Sequence, residues 1–102
     1  MRYSISVIEN SIVARLADRF TFSDHTAFRG LVTELVASKG KRVVFDLSGL
    51  TFIDSSALGM LLLAREETIK ANKSLTLLNA AGQVDKVLRL AKFDTMFVLE
   101  QS

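Results

Sequence analysis

The sequence predicts an α/β domain: a mixed, mostly parallel β-sheet packed with α-helices, in the order β-β-α-β-α-β-α-β. Three observations carry that expectation. Short β-branched or alternating apolar runs recur along the 102 residues, apolar residues at helical spacing lie between them, and glycine or small polar residues separate the two kinds of segment. Strands that alternate with helices favour right-handed crossovers between parallel neighbours, here after an antiparallel start.

Each element follows from its own pattern. Tyr3, Ile5 and Val7 alternate with polar residues as in a half-buried strand, and Glu9-Asn10-Ser11 makes a tight turn into Ile12–Ala17, so the chain opens on a hairpin. Ser23 and Asp24 offer N-caps to a helix with Ala27, Phe28, Leu31, Val32 and Leu35 at helical spacing, ending near Gly40. Val43–Leu47 is an almost continuous, β-branched apolar run, the pattern of an inner strand covered on both faces. Asp54 or Ser55 caps a second helix that runs to about Asn72. Ser74–Asn79 resumes strand character through Leu75, Leu77 and Leu78. Gln83–Ala91 reads as a third helix with Val84, Val87, Leu88 and Ala91 on one side, and Met96–Leu99 closes the chain as a strand.

Composition narrows the function. One domain spanning residues 1–102 is expected from the length, and 49% hydrophobic with 24% charged residues is ordinary for a globular protein. The absence of cysteine excludes disulfides, thiol catalysis and thiolate-held metal, and agrees with a reducing cytoplasm. No cofactor is indicated. The 13 basic and 11 acidic residues are scattered, for a net charge of +2, so no basic tract marks a nucleic-acid partner. The longest apolar stretch, Ala57–Ala64, is too short to span a membrane, and the N-terminus lacks the apolar region of a signal peptide. The expected location is the cytoplasm.

One stretch asks for a chemical explanation. In "FIDSSALGMLLLARE", Phe52–Glu66, an aspartate and two serines stand where a strand turns into a helix. Capping alone accounts for one of the three, because side-chain oxygens there accept bonds from unpaired helix amides. A nucleophilic serine is a second reading, but "DSSAL" is not G-x-S-x-G, and the single histidine, His25, falls in the first turn of another helix. A phosphorylation switch is the third. A phosphate at a helix start is stabilised by free amides and the helix dipole without refolding the domain.

The longer run "LTFIDSSALGMLLLARE" closely resembles the signature of bacterial anti-sigma factor antagonists of the STAS-domain family: an apolar segment, Asp-Ser-(Ser/Thr)-Gly-Leu-Gly, then an apolar helix. "ARLADRFTFSDHTAFRG" resembles the family's second strand and the loop entering its first helix, and "LRLAKFDTMFVL" its third helix and last strand. The resemblance implies a non-enzymatic binding protein in a partner-switching circuit that regulates transcription. The unphosphorylated antagonist would bind an anti-sigma factor that is a serine kinase of the GHKL type; phosphorylation would end binding, and a PP2C-like phosphatase would restore it. The modified serine maps onto Ser55, with Ser56 second. Ala57 stands where the family favours glycine, and Thr21 where many relatives carry an aspartate, for which Asp24 is the candidate substitute. The alternative is a STAS module of another assembly: a stressosome-like scaffold, a chemotaxis or biofilm regulator, or a lipid-transport complex component. The oligomeric state stays open.

A helical wheel adds a surface. At about 100° per residue, Leu58, Leu61, Leu62 and Ile69 gather on one side of the second helix with Arg65, whose stem packs there while its guanidinium reaches an edge. Met60 and Leu63 face away with Glu67 and Lys70, either covered by another element or open to a transient partner. Motif and wheel together nominate Thr21, Ser23, Asp24, Asp54, Ser56, Ala57, Gly59, Met60 and Leu63 as partner-facing residues around Ser55.

Overall fold

The computed structural model describes residues 1–102. Its elements are β1 (Arg2–Ile8), β2 (Ser11–Phe20), α1 (His25–Ala37), β3 (Arg42–Ile53), α2 (Ser55–Lys70), β4 (Ser74–Leu78), α3 (Gly82–Leu90) and β5 (Val98–Glu100), with short 3-10 turns at Phe22–Asp24 and Phe93–Thr95. The strands form one sheet in sequential order β1-β2-β3-β4-β5. Only the β1–β2 hairpin is antiparallel; β2–β3, β3–β4 and β4–β5 are parallel. The expected element order and mostly parallel sheet are both present.

Sequential parallel order has a geometric consequence. Right-handed crossovers that all step the same way place every helix on one face of the sheet. The core obeys this: Ile12, Ala14 and Leu16 of β2, Val43, Phe45 and Leu47 of β3, and Leu75 and Leu77 of β4 share a single cluster with Phe28 and Leu35 of α1, Leu61 of α2, and Val84 and Leu88 of α3. Phe20, Phe28 and Phe45 stack in series through it, with centroids 4.8 and 5.5 Å apart. Alternating residues point the other way and lie outside that cluster. Val13, Val44 and Thr76 form a row across this second face, yet all three are buried. The Arg42–Glu100 ion pair, 3.2 Å long, joins β3 to β5 across β4 on the diagonal through Thr76, and no helix packs over this row. The continuous apolar run in β3 therefore does not mean helices on both faces, as its pattern suggests.

Two boundaries also differ from expectation. β3 continues past Leu47 to Ile53 and bulges to stay paired with β2: it carries one extra residue where the register shifts between Arg15 and Ala17, and another between Asp18 and Arg19. Gly49 permits this close approach. A Cβ there would stand 2.9 Å from the Leu16 carbonyl oxygen and 3.2 Å from the Ala17 Cβ. At the C-terminus, Met96 and Phe97 precede β5, since Phe97 N–H still bonds the Phe93 carbonyl of the 3-10 turn at 2.8 Å.

The second helix corrects the wheel. Its inward seam is Ala57, Met60, Leu61, Ala64 and Thr68, while Leu62 and Ile69 are exposed, Ile69 at 55%. The buried stripe runs through Ala57, Met60, Leu61 and Ala64 at i, i+3, i+4 and i+7, with Thr68 one turn further on, and leaves the aliphatic Leu62 and Ile69 outside it. Met60 is 9% exposed and faces inward; Leu63, at 43%, faces solvent as the wheel places it. Arg65 also behaves as expected, its Nε donating to the Met96 carbonyl at 2.7 Å.

The two helix and strand glycines predict opposite responses. Gly49→Ala should lower the unfolding free energy by about 1–3 kcal/mol, because its neighbour is backbone that cannot easily move. Gly59, inside α2 with nothing within 4 Å of an added Cβ, should tolerate alanine with a gain of about 0.5–1 kcal/mol. Urea titration of both variants checks the signs.

Candidate functional site

The candidate site forms at the carboxyl ends of β2 and β3, where Phe20 pairs with Ile53 and both chains leave the sheet together. Ligand and partner sites of open parallel sheets gather at such ends, since the loops and helix N-termini emerge there. Asp54 follows β3 in extended conformation and is the N-cap of α2. Its Oδ1 accepts from the Ala57 N–H at 2.9 Å, and its Oδ2 accepts from the Phe22 N–H at 3.1 Å. One carboxylate therefore caps the helix and ties it to the loop after β2.

With Asp54 as the cap, Ser55 is released from that duty. It occupies the first helical position, its side chain exposed, and Ser56 beside it is half-buried. The Ala57 amide is taken by Asp54 and the Leu58 amide bonds the Asp54 carbonyl at 3.4 Å. The amides of Ser55 and Ser56 remain the free donors of this helix start. The helix dipole and these amides favour negative charge at this end, against the Asp54 carboxylate beside them, and Ser55 carries an exposed hydroxyl there.

The adjoining loop is held from inside. Thr21 N–H donates to Asp24 Oδ2 at 2.9 Å, and the Asp24 N–H returns a bond to the Thr21 carbonyl at 2.9 Å. Asp24 Oδ1 accepts from the Met1 ammonium, also at 2.9 Å. Burial raises the Asp24 carboxyl, but the Thr21 amide and that ammonium outweigh it and hold the group below the ordinary carboxylate range. Asp24 is thus engaged within the loop rather than presented outward. Thr21 and Ser23 share a hydroxyl bond of 2.9 Å at the surface. Phe22 is exposed and stacks on His25 at 4.7 Å, and the His25 Nδ1 lies 2.9 Å from the Phe22 carbonyl. His25 is bonded to its own loop and not to Ser55, so no serine–histidine pair exists.

Of the residues nominated from sequence, the structure brings Thr21, Ser23, Asp54, Ser55, Ser56 and Gly59 to this end of the sheet or the first turns of α2. Ala57 and Met60 are corrections: both side chains are buried against the core, Ala57 completely. Met60 and Leu63 do border a groove of about 380 Å³ between α1 and α2, with Phe28, Val32 and Val36 opposite and Arg29 and Glu67 at its rim. Sequence reading missed Gln83, whose side-chain amide clamps the end of β3: Ile53 N–H donates to its Oε1 at 3.1 Å, and its Nε2 donates to the Ile53 carbonyl at 3.0 Å. It also missed Arg19, whose guanidinium lies 4.2 Å from the centre of the Phe52 ring. No local pattern marks either contact, because each joins segments far apart in the chain.

Comparison with known proteins places this geometry. The family model described as "Mlab, STAS domain" matches residues 5–100. The chain is 38% identical over 86 residues to the STAS-domain containing protein PA14_20770 of Pseudomonas aeruginosa, covering 84% of each. Among solved structures, an anti-sigma factor antagonist from Mycobacterium paratuberculosis superposes with a TM-score of 0.86 at 18% identity, covering 97% of this chain and 84% of that one. The Bacillus cell fate determinant SpoIIAA in its phosphorylated form gives 0.76 at 17% identity, covering 99% and 91%. At these identities the structural likeness shows the fold.

The Asp54 contacts generate a local prediction. Asp54→Ala should cost about 1–2 kcal/mol through loss of the cap, and it should also release the loop. Hydrogen exchange is the discriminating measurement: the Phe22 and Ala57 amides are expected to lose protection together, and unchanged protection at Phe22 would show that the loop stands without this tether.

Proposed function

Because the chain belongs to the STAS-domain family, we propose that it is one STAS domain over residues 1–102 acting as a cytoplasmic, non-enzymatic anti-sigma factor antagonist, switched by phosphorylation of Ser55. In this reading the unphosphorylated form binds an anti-sigma factor with GHKL-type serine kinase activity, the kinase modifies Ser55 and ends binding, and a PP2C-like phosphatase restores it. One observation carries the reading: Asp54 takes over the cap, which leaves the Ser55 hydroxyl exposed at the helix start beside two free amides. The solved SpoIIAA and mycobacterial antagonists support it through the shared fold.

Physical chemistry explains why such a switch acts on binding rather than on folding. A phosphate on Ser55 adds about −1.5 to −2 charges at the surface, stabilised by the helix start and opposed by the Asp54 carboxylate next to it. The core beneath, from Ala57 inward, is not touched. Repulsion falls on Asp54, whose Oδ2 holds Phe22, so the loop is where the charge is felt first.

A second reading, a STAS interaction module in another assembly such as a lipid-transport complex, draws on the matching family model, whose description names Mlab. The two readings part on Ser55. Titration calorimetry against the kinase partner should show Ser55→Ala binding as the wild type does and Ser55→Asp at least about tenfold more weakly, ~1.4 kcal/mol. Equal affinities, or phosphopeptides at Ser56 in the Ser55→Ala protein after kinase treatment, would remove Ser55 from the switch.

Leu63 tests the extent of the partner surface. It is exposed on the α2 side of the groove. Leu63→Glu is expected to weaken partner binding about tenfold or more while leaving the unfolding free energy within about 0.5 kcal/mol of wild type. Unchanged binding would confine the interface to the helix start and its loop.

A further inference from the structure

The outer edge of β1 carries an interaction that the site at the other strands does not use. β1 is the end strand of the sheet, and no element lies beyond it. Ile8 and Ser11 flank the two-residue turn Glu9-Asn10, and in such hairpins the flanking residues exchange a pair of ladder bonds. Because these bonds alternate, Arg2, Ser4, Ser6 and Ile8 direct their backbone groups toward β2. Tyr3, Ile5 and Val7 direct theirs outward. Soluble proteins normally blunt such an edge with lysine, proline, a bulge or a covering helix. β1 has none of these: its sequence RYSISVI holds one charge, at its start, and its register with β2 is unbroken.

Its side chains point the same way. Tyr3, Ile5 and Val7 lie on the helix-bearing face, opposite Leu16, Ala14 and Ile12 of the core. Tyr3 is 43% and Val7 67% exposed, so the apolar layer runs past β2 and ends open at the edge.

We infer that β1 pairs with β1 of a second copy of this chain, antiparallel about a twofold axis at Ile5, to make a ten-stranded sheet. In this register Tyr3 stands opposite the partner's Val7 and Ile5 opposite the partner's Ile5. The three outward-facing residues of each copy then exchange all six of their hydrogen bonds, and the apolar row continues across the junction. A twofold contact requires such self-complementarity. Charge is compatible with the same orientation. Arg2, paired with Asp18 of its own chain at 2.6 Å, begins the strand, and Glu9, which forms no ion pair within the chain, follows its end. Antiparallel pairing sets the partner's unpaired Glu9 beside this Arg2–Asp18 end, whereas parallel pairing would set Arg2 against the partner's Arg2. One seven-residue edge is a small interface, so the dimer is reversible. Since β2–β5 run opposite to β1, the two Ser55 sites fall at opposite ends of the joined sheet and both stay open.

Sedimentation velocity from about 10 μM to about 1 mM, the range suited to a small interface, tests the dimer. The wild-type mass is expected to rise toward twice the monomer value. Val7→Pro removes only an outward-facing N–H, and Val7→Lys places an edge charge; both should stay monomeric, with unchanged circular dichroism. Should Val7→Pro unfold, Val7→Lys decides between monomer and dimer. The register has its own test in this cysteine-free chain: Ser4 stands opposite the partner's Ser6 in a pair about 4.5 Å apart, so a mixture of Ser4→Cys and Ser6→Cys proteins should cross-link several-fold faster than either alone. A wild type monomeric at the highest concentration, or Val7 variants that dimerise equally, would overturn the inference, and faster cross-linking of either variant alone would overturn the register.

Discussion

Parallel pairing of β2 with β3 is the constraint on which the rest of this structure depends. It runs from Ser11 opposite Arg42 to Phe20 opposite Ile53, and it survives two register shifts because Gly49 lets the strands approach without a Cβ. Parallel neighbours require a crossover, which α1 supplies, and their carboxyl ends must finish side by side. Everything that defines the candidate site follows from that adjacency. Asp54 meets Phe22 across 32 positions of sequence only because the strands before them end together.

Within that frame a single carboxylate divides the labour among three polar residues. Asp54 satisfies the Ala57 and Phe22 amides with its two oxygens, Ser56 sits half-buried in the first turn, and Ser55 is left at the surface without a structural task. Gln83 secures the other side by holding both backbone groups of Ile53, so the last residue of β3 is fixed from α3 while the next is fixed from the loop. A modification at Ser55 thus meets a rigid support. In the proposed switch, the charge of a phosphate there would fall on the tether and not on the apolar layer, which begins at Ala57.

The same sheet presents three different boundaries. One face is sealed by helices, and the other carries a buried β-branched row with no helix over it, crossed by the Arg42–Glu100 ion pair. The β1 edge is sealed by neither. The proposed pairing at this edge would leave the proposed switch undisturbed, because the edge and the helix start of α2 are separate surfaces.

Much of this was legible in the chain itself. Element order, the opening hairpin, a cap at Asp54 or Ser55 and the exposed serine are local: they depend on spacing, on β-branched runs and on which side chains can reach an amide three residues away; the structure settles the cap on Asp54. Tertiary structure alone decided the inward face of α2. Leu62 and Ile69 look like core and are exposed, while Ala57, Met60, Leu61, Ala64 and Thr68 form the seam, because the buried face of a helix is set by the elements it packs against and not by its largest aliphatics alone. It also decided the bulges that carry β3 to Ile53, the Gln83 clamp, the inward engagement of Asp24 and the burial of Val44 on a helix-free face. Each is a contact between residues distant in sequence, formed only after the sheet has brought them together.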